Sequence, residues 1–481
     1  MKPNIYLLTL LFVVCTLHKA TSQRNNNLIE SFFAGRQQFQ NNFRSYVDSI
    51  NVKFAEHLAK SWELFQIEVP VERPYKPEPK TLPVYIPDNS TTSITPVFVE
   101  EPVEVDTIYM ETAPQKNERK FATASEGNSS IVEFFGTSIT LPVVQGYETK
   151  SSGTDEKQVA NYWLQLSKTN YPDFIDQINT KEIDLQLGSW GLYQLILEWA
   201  KRYFTKQQEN EKAIFIVYML NQAGYKAKIG RIRDALVVMV AFRNTIYGKP
   251  YIRSGNDYYY ILSEQTIDKS LASYKLDYEP ATSYIDLTID KLPQLAVNSS
   301  TVKRIFRNNT YSFTYNNSLT DYYHTFPQTE LKIYANTPLS IIAKEGIIKE
   351  LADDLMNKSD PDKVKFILSL IQNGFAYKND EEQFGYEKYF FAEEALYYPF
   401  SDCEDRAILF CRMVKLLCDL DTLIVDYPTH VAAAVKLEVP GDAIIYNNSR
   451  YVICDPSFIG APIAKTMANC DNTKAKVFVV R

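Results

Sequence analysis

A cysteine stands at a predicted helix start, in the segment Ser-Asp-Cys-Glu-Asp-Arg-Ala at 401–407. Ser401 and Glu404 match the capping-box pattern, so we expect the helix to begin here. Cys403 then lies in the first turn, where free backbone N–H groups and the positive end of the helix dipole favour a thiolate. A thiolate attacks carbonyl carbon, so Cys403 is predicted to be a nucleophile.

A nucleophilic cysteine needs a base, and His430 is the candidate. His430 follows a predicted strand at 422–427 and opens another at 431–437, and Asp455 ends a predicted strand at 451–454. An acid behind an imidazole fixes its tautomer and stabilises the imidazolium. Each residue alone has an ordinary structural explanation, but their order along predicted elements indicates a Cys-His-Asp triad.

These motifs resemble a known superfamily. The segment Asp-Cys-Glu-Asp-x-Ala at 402–407, Pro-x-His at 428–430 and Asp-Pro at 455–456 are similar to the transglutaminase-like superfamily. The similarity is greatest to bacterial transglutaminase-like cysteine peptidases, and it extends over about 340–466. The match covers under a third of the chain, so it implies nothing about the remainder.

The resemblance implies a fold and a reaction. The fold is a papain-like α+β domain, in which a helix carrying Cys403 packs on an antiparallel sheet carrying His430 and Asp455. The reaction is hydrolysis of a peptide or amide bond in a protein or peptide substrate, through a thioester. Amine transfer by the same site, which would cross-link proteins, is an alternative. A non-catalytic binding or scaffold protein that retains the fold is another.

The resemblance also implies a second oxyanion donor beside the backbone N–H of the cysteine. Relatives supply a tryptophan or a glutamine, but all four tryptophans here lie outside the matching domain. Gln383 is therefore the candidate, and Tyr397 and Tyr398 are alternatives. A surface position without a catalytic role is the competing interpretation of Gln383.

Calcium is the one cofactor that the resemblance suggests, and the chemistry requires none. Some calcium-dependent periplasmic proteases of this family bind the ion through acidic residues beside their cysteine, and Asp402, Glu404 and Asp405 match those positions. Hard oxygen ligands suit calcium. The same carboxylates also complement a helix dipole, so a purely structural role is equally consistent with the sequence.

The first 22 residues have the features of a secretory signal peptide. Lys2 supplies positive charge, an apolar run extends over 5–17, and small residues at 20–22 offer a cleavage site. Membrane anchoring and lipid attachment at Cys15 are the alternatives, but the run is shorter than the roughly 20 residues that span a bilayer. We therefore expect export without a transmembrane segment, and the resemblance implies a bacterial protein in the periplasm, at the cell surface or in the extracellular space.

The remaining chain divides by its patterns into five predicted parts. Residues 23–68 show the apolar spacing of an amphipathic helix, and 69–118 are rich in proline and form a linker or surface strap. An α/β region at 119–265, a small β-rich domain at 266–336 and the transglutaminase-like domain at 337–481 follow.

The α/β region at 119–265 is a candidate degenerate copy of the last domain. Shifting the chain by about 194 positions, a spacing found by comparing the two segments, superposes helices that each lead into strand pairs. Cys403 then falls on Glu209, His430 on Leu236 and Asp455 on Ile261. None of these three can run the same chemistry, so the copy would be structural or substrate-binding.

Composition excludes several classes of protein. The 481 residues are 45% hydrophobic, with Gly 16 and a formal net charge of −7. That composition is globular, not disordered or collagen-like. The chain has no basic excess to neutralise a phosphate backbone and no nucleotide-binding glycine motif, which argues against nucleic-acid partners. Composition does not indicate an oligomeric state.

Overall fold

The computed structural model describes residues 47–74, 76, 81–87, 97–98, 129–148, 153–262 and 269–481. The predicted signal peptide at 1–22 lies outside these residues, as do most of the predicted linker and the start of the predicted first helix. The described chain mixes helices with largely antiparallel sheets and is therefore α+β. Within these ranges no helix has the length and apolar composition needed to cross a bilayer.

The helices are α1 (described part 47–58), α2 (Glu156–Leu166), α3 (Tyr171–Asp184), α4 (Gly188–Tyr203), α5 (Glu209–Gln222), α6 (Asn317–Tyr323), α7 (Leu331–Asn336), α8 (Ile341–Leu355), α9 (Asp360–Gly374), α10 (Asp380–Phe384), α11 (Glu394–Tyr397) and α12 (Cys403–Cys418). The strands are β1 (Glu63–Gln66), β2 (Val97–Phe98), β3 (Ser129–Phe134), β4 (Thr137–Pro142), β5 (Ala227–Ile232), β6 (Ala235–Ala241), β7 (Tyr251–Ser254), β8 (Asp257–Ile261), β9 (Ser270–Ser273), β10 (Ser299–Phe306), β11 (Asn309–Asn316), β12 (Ala376–Tyr377), β13 (Phe400–Ser401), β14 (Thr422–Tyr427), β15 (His430–Lys436), β16 (Ala443–Tyr446), β17 (Ser449–Cys454) and β18 (Lys476–Val480).

The C-terminal unit is a six-stranded sheet with α12 packed on one face. Its strand order is β18-β14-β15-β17-β16-β2, and α12 contacts β14 and β15. Apolar residues at helical spacing on α12, such as Ala407 and Phe410, are buried, and the sheet supplies Ile424, Val431 and Cys454 to the same core. Because the apolar face of α12 packs on the apolar face of the sheet, the start of α12 is held over the sheet.

The N-terminal unit repeats this topology. Its strand order is β1-β9-β5-β6-β8-β7, with α5 packed on β5 and β6. In both units five strands follow the helix. Numbered along the chain, they lie across the sheet in the order fifth, first, second, fourth, third. The two helices begin at Glu209 and Cys403, 194 residues (403 − 209) apart. By position in the elements, Cys403 corresponds to Glu209 at the helix start, His430 to Ala235 at the start of β6 and Asp455 to Leu262 directly after β8, so the uniform shift that predicted Leu236 and Ile261 is one residue off in both strands.

Two predicted parts of the chain are organised differently. The helix predicted over 23–68 ends at residue 58, and β1 follows as an edge strand paired with β9. Pairing with an open sheet edge there outweighs the helical spacing of Trp62 and Phe65. The predicted β-rich domain at 266–336 holds one hairpin, β10–β11, which packs on α8 and is followed by α6 and α7. That hairpin belongs to the core of the C-terminal unit.

A proline-rich segment, here called the strap, links the two units and comprises the described residues 69–74, 76 and 81–87. Val71 bridges Tyr247 beside the first sheet, and Val84 bridges Ile459 beside the second. Between these points Arg73 and Lys76 are buried despite their charge. The strap therefore passes from the first unit across the C-terminal end of β17.

Candidate active site

Cys403 is the first residue of α12 and is 2% exposed. The helix cap differs from the predicted one: Asp402 is the N-cap and forms a reciprocal capping box with Asp405, whereas Ser401 and Glu404 were expected to do so. Ser401 is instead paired in β13 with β12. The thiol of Cys403 donates to Glu404, with Sγ 2.8 Å from Oε2. Glu404 is thereby turned toward the nucleophile.

His430 and Asp455 form a buried hydrogen-bonded pair. His430 opens β15, Asp455 follows β17, and the two strands are neighbours in the sheet. Nε2 of His430 lies 2.9 Å from Oδ2 of Asp455, and Oδ1 of Asp455 accepts the N–H of Ser457 at 2.9 Å. Because Nε2 is engaged by the carboxylate, Nδ1 is the nitrogen that can exchange a proton with another group.

Cys403 and His430 line the same cavity, which has a volume of about 630 Å³. The hairpin between β14 and β15 places Thr429 at its rim, and the loop after β17 contributes Ser457 and Phe458. The structure thus brings the predicted nucleophile and base to one cavity, with the predicted acid directly behind the base. A site of this kind can transfer a proton from thiol to imidazole and attack an electrophilic carbonyl.

The predicted oxyanion residues lie elsewhere. Gln383 is half-buried in α10 and is not among the residues lining this cavity, and neither are Tyr397 and Tyr398. The hydroxyl of Tyr398 is 3.0 Å from His324 instead. Tyr377 does line the cavity, because β12 pairs in parallel with β13 immediately before α12. A two-residue strand has no recognisable periodicity, so the sequence carried no signal for Tyr377.

The side chain of Arg73, in the strap, lies among the acidic residues beside Cys403. Its guanidinium pairs with Glu404 and lies 2.5 Å from Glu387, and its Cζ is 3.5 Å from the centroid of the Tyr389 ring. Burial alone would lower the pKa of Arg73, but the charge of Glu404, together with neighbouring groups, raises it overall. Arg73 therefore stays charged and neutralises Glu404. The contact joins positions 331 residues apart, and sequence reasoning missed it.

Three carboxylates cluster at the helix start next to this ion pair, and Nη1 of Arg73 is also 4.0 Å from Oδ2 of Asp380. Oxygen atoms of Asp380, Asp402 and Asp405 lie within 4.8 Å of one another. The predicted calcium set is thus altered: Asp380 joins Asp402 and Asp405, and Glu404 pairs with Arg73. Burial, with the charge of Glu404 next, raises the pKa of Asp405 to about 7. Burial, followed by the charges of Asp405 and Glu404, raises that of Asp380 to about 9.

The cluster fits a hard cation in donor type and spacing, since calcium takes carboxylate oxygens at 2.3–2.6 Å in about six to eight positions. The same oxygens also have protein partners. Asp380 accepts the N–H of Lys388 at 2.5 Å, and Asp405 accepts the N–H of Phe390 at 2.9 Å. The carboxylates therefore tie the chain after α10 to the start of α12, with or without an ion.

The loop after β17 is held by a buried glutamine. Nε2 of Gln372, in α9, lies 3.0 Å from the carbonyl oxygen of Asp455, 2.8 Å from that of Phe458 and 3.1 Å from that of Ala461. Nη1 of Arg406 adds a 3.4 Å hydrogen bond to the carbonyl of Pro456 in the same loop. Gln372 thereby sets the path of the loop that begins at Asp455, the predicted acid, a role that its helical position alone does not reveal.

Comparison with known proteins gave no match. No family model, no curated protein and no solved structure is significantly similar to this chain.

Proposed function

We propose that this chain is an exported cysteine hydrolase that cleaves peptide or amide bonds, with a C-terminal unit of the papain and transglutaminase-like kind. One observation carries the proposal: Cys403 at a helix start and His430 line one cavity, and His430 is hydrogen-bonded to a buried Asp455. A helix packed on an antiparallel sheet, in this order of elements, is the arrangement that the resemblance implies.

The reaction begins when the Cys403 thiol, which donates to Glu404 in the structure, turns to His430 and transfers its proton to Nδ1. The thiolate attacks the substrate carbonyl carbon, the C–N bond breaks, and the imidazolium returns its proton to the leaving amine. The acyl group is then held on sulfur as a thioester. His430 removes a proton from water, the hydroxide attacks the thioester, and the S–C bond breaks to release the acid and restore the thiol. Asp455 orients the imidazole throughout.

Developing negative charge on the carbonyl oxygen needs hydrogen-bond donors. We assign this role to the backbone N–H of Cys403 and to the hydroxyl of Tyr377, which lines the cavity beside it. Tyr377 takes the place of Gln383 in the proposal because Gln383 is not part of the cavity lining. Tyr377→Phe should lower the rate of acylation while leaving the thiol reactive toward small alkylating agents.

Calcium remains part of the proposal as a structural ion. Asp380, Asp402 and Asp405 would hold it, and it would supply positive charge to a cluster in which burial and mutual repulsion raise the carboxyl pKa values. No step of the reaction passes through this ion. Its contribution would be to keep the start of α12, and hence Cys403, in position.

Amine transfer uses the same acyl-enzyme and differs only in the nucleophile that reaches the thioester. Incubation with a glutamine-containing protein and a fluorescent primary amine separates the two reactions. Hydrolysis predicts release of ammonia or a new peptide terminus without amine incorporation. Incorporation at a rate similar to hydrolysis would move the assignment to a cross-linking transferase.

The decisive experiment separates an enzyme from a scaffold that retains the fold. A peptide carrying a thiol-reactive group should label the wild-type chain, and Cys403→Ala should abolish the labelling. Cys470→Ala, which removes a half-buried thiol outside the triad, is the matched control and should label normally. Labelling that persists in Cys403→Ala, located by mass spectrometry at another cysteine, would remove the basis of the proposal.

A further inference from the structure

The cavity of Cys403 and His430 is bordered by a segment of the same chain. Strap residues 82–86 line it together with the two catalytic residues. The strap is hydrogen-bonded there as a short parallel strand: the N–H of Tyr85 donates to the carbonyl of Ile459 at 2.8 Å, and the N–H of Ile459 donates to the carbonyl of Pro83 at 2.9 Å. The backbone of Ile459, in the loop that follows Asp455, thus pairs with an extended polypeptide segment.

The contact is made by the backbone, one aromatic side chain and two partly buried residues. Val84 is 64% exposed and Ile86 is 82% exposed, so neither apolar side chain is buried by the interaction. The ring of Tyr85 is edge-on to Phe458 at 5.7 Å between centroids and 5.7 Å from Nζ of Lys465, and Leu82 and Pro83 are partly buried. Two hydrogen bonds and this limited side-chain burial are a weak attachment compared with a packed strand.

The rest of the strap is anchored independently. Arg73 is held by Glu404 and Glu387, and Lys76 pairs with Asp426 and lies 2.5 Å from the carbonyl oxygen of Tyr427. Release of residues 83–85 from Ile459 therefore need not detach the strap elsewhere. A segment tethered beside the site has a high effective concentration, so it can occupy a weak site without a large interface.

We propose that the backbone of Ile459 is the docking edge for an extended peptide substrate, and that strap residues 83–85 occupy this edge in competition with the substrate. The partner is a polypeptide strand that adds in parallel beside 458–460, by the main-chain pairing used in β-strand addition. An aromatic side chain in the register of Tyr85 would be favoured, since Phe458 and Lys465 already form its contact surface. This inference rests on the proposed function.

The test compares two proline substitutions in the strap. Tyr85→Pro removes the N–H that donates to Ile459, whereas Val84→Pro removes an N–H that takes no part in the pair. The probe is a peptide of the sequence of residues 81–87 with a haloacetyl cap, and free iodoacetamide is used in parallel. Tyr85→Pro should accelerate Cys403 labelling by the peptide probe about fivefold or more, because it removes one hydrogen bond and the contact of the Tyr85 ring with Phe458. Val84→Pro should label at the wild-type rate.

A second measurement tests competition directly. In the Tyr85→Pro variant, the uncapped peptide of residues 81–87 should slow Cys403 labelling by the peptide probe, and a peptide of the same composition in scrambled order should not. Equal labelling rates in the wild type and Tyr85→Pro, with Cys403 still the labelled residue, would overturn the competition and leave the proposed hydrolase intact. Failure of both probes to label Cys403 in any variant would overturn the hydrolase and the inference together.

Discussion

At the residue scale, the reactivity of each cysteine depends on whether its thiol lies beside a base. Burial raises the pKa of Cys411 to about 12 and that of Cys418 to about 11, and burial with the nearby charge of Asp455 raises that of Cys470 to about 12. These thiols are therefore largely protonated near neutral pH. Cys403 differs from them because it shares a cavity with His430.

We predict that iodoacetamide at mildly acidic pH labels Cys403 first. His430→Ala should slow the labelling about 10²-fold or more, because general-base assistance is lost. Asp455→Asn should slow it less, since the imidazole is still present but is held less firmly. Peptide mapping by mass spectrometry locates the adduct and its rate. First modification at Cys470, or a Cys403 rate unchanged by His430→Ala, would contradict the triad.

Arg73 gives a second prediction at this scale, because its side chain is 4% exposed and Glu404 is fully buried. Arg73→Met leaves the Glu404 carboxylate buried without its guanidinium, and breaking such a pair costs about 3–5 kcal/mol of unfolding free energy. The double variant Arg73→Met/Glu404→Gln should recover much of that loss, because the charge of the fully buried Glu404 is removed as well, and Glu387, another acidic partner of Arg73, is 30% exposed. Urea denaturation of the wild type and the two variants measures the effect. An equally unstable double variant would mean that packing of Arg73 on Tyr389 matters more than charge.

At the scale of elements, the acidic cluster links α10 to the start of α12, and its pH dependence has a definite sign. Folding raises the carboxyl pKa of Asp405 from 3.8 to about 7 and that of Asp380 from 3.8 to about 9. The folded state therefore binds more protons than the unfolded state between these values, and stability falls as pH rises.

In the presence of a chelator, we expect the free energy of unfolding from this cluster to be greatest near pH 4 and to fall through about pH 7 and about pH 9. Asp380→Asn should flatten this slope, because one of the repelling carboxyls is removed. Added calcium should raise the melting temperature most at high pH, where the carboxylates are ionised. A calcium-independent melting temperature at every pH would favour the helix-cap role of these residues alone.

The contact of α9 with the loop after β17 gives the next prediction. Gln372→Leu removes the amide that serves three carbonyl groups, one of them that of Asp455. Leaving buried carbonyls without a donor should lower stability by about 1–3 kcal/mol. Gln372→Leu should also slow Cys403 labelling and shift the pH dependence of labelling, because Gln372 positions Asp455. Gln383→Leu, at a half-buried position outside the cavity, is the control and should change neither. Loss of stability with an unchanged pH profile would indicate a structural role only.

At the scale of the whole molecule, two units with one sheet topology share a continuous core. Buried residues of α2 to α5, of α8, α9 and α12 and of both sheets belong to one apolar cluster. At the places in its elements where the C-terminal unit carries Cys403, His430 and Asp455, the N-terminal unit carries Glu209, Ala235 and Leu262. The first unit therefore has the packing surface of this topology without the three candidate residues, and it also contacts the strap that reaches the cavity.

A shared core predicts one cooperative unfolding transition. Trp163, Trp190 and Trp199 are buried in the N-terminal unit, whereas Cys411 and Cys454 are buried in the C-terminal unit. Tryptophan fluorescence and thiol exposure thus report the two units separately, and their denaturation midpoints should coincide. Separate midpoints would show that the units fold independently and that the contact between them is weak.

Local sequence patterns were enough to predict the helix and strands that carry Cys403, His430 and Asp455. The capping and apolar patterns predicted a helix beginning near Cys403, and the strand predicted at 422–427 has the same bounds in the structure. Such features arise from interactions between residues close in the chain, so local spacing encodes them. The order of Cys403, His430 and Asp455 on these elements followed from the same patterns.

Tertiary structure alone decided the surroundings of the triad. Arg73 reaches Glu404, Asp380 joins Asp402 and Asp405, Tyr377 replaces Gln383 at the cavity, and residues 83–85 pair with Ile459. Each of these contacts depends on the packing of separate segments, so the local spacing of residue types does not predict it. Burial of charge explains the outcome: a carboxylate removed from water requires a partner, and the packing of distant elements determines which partner is within reach.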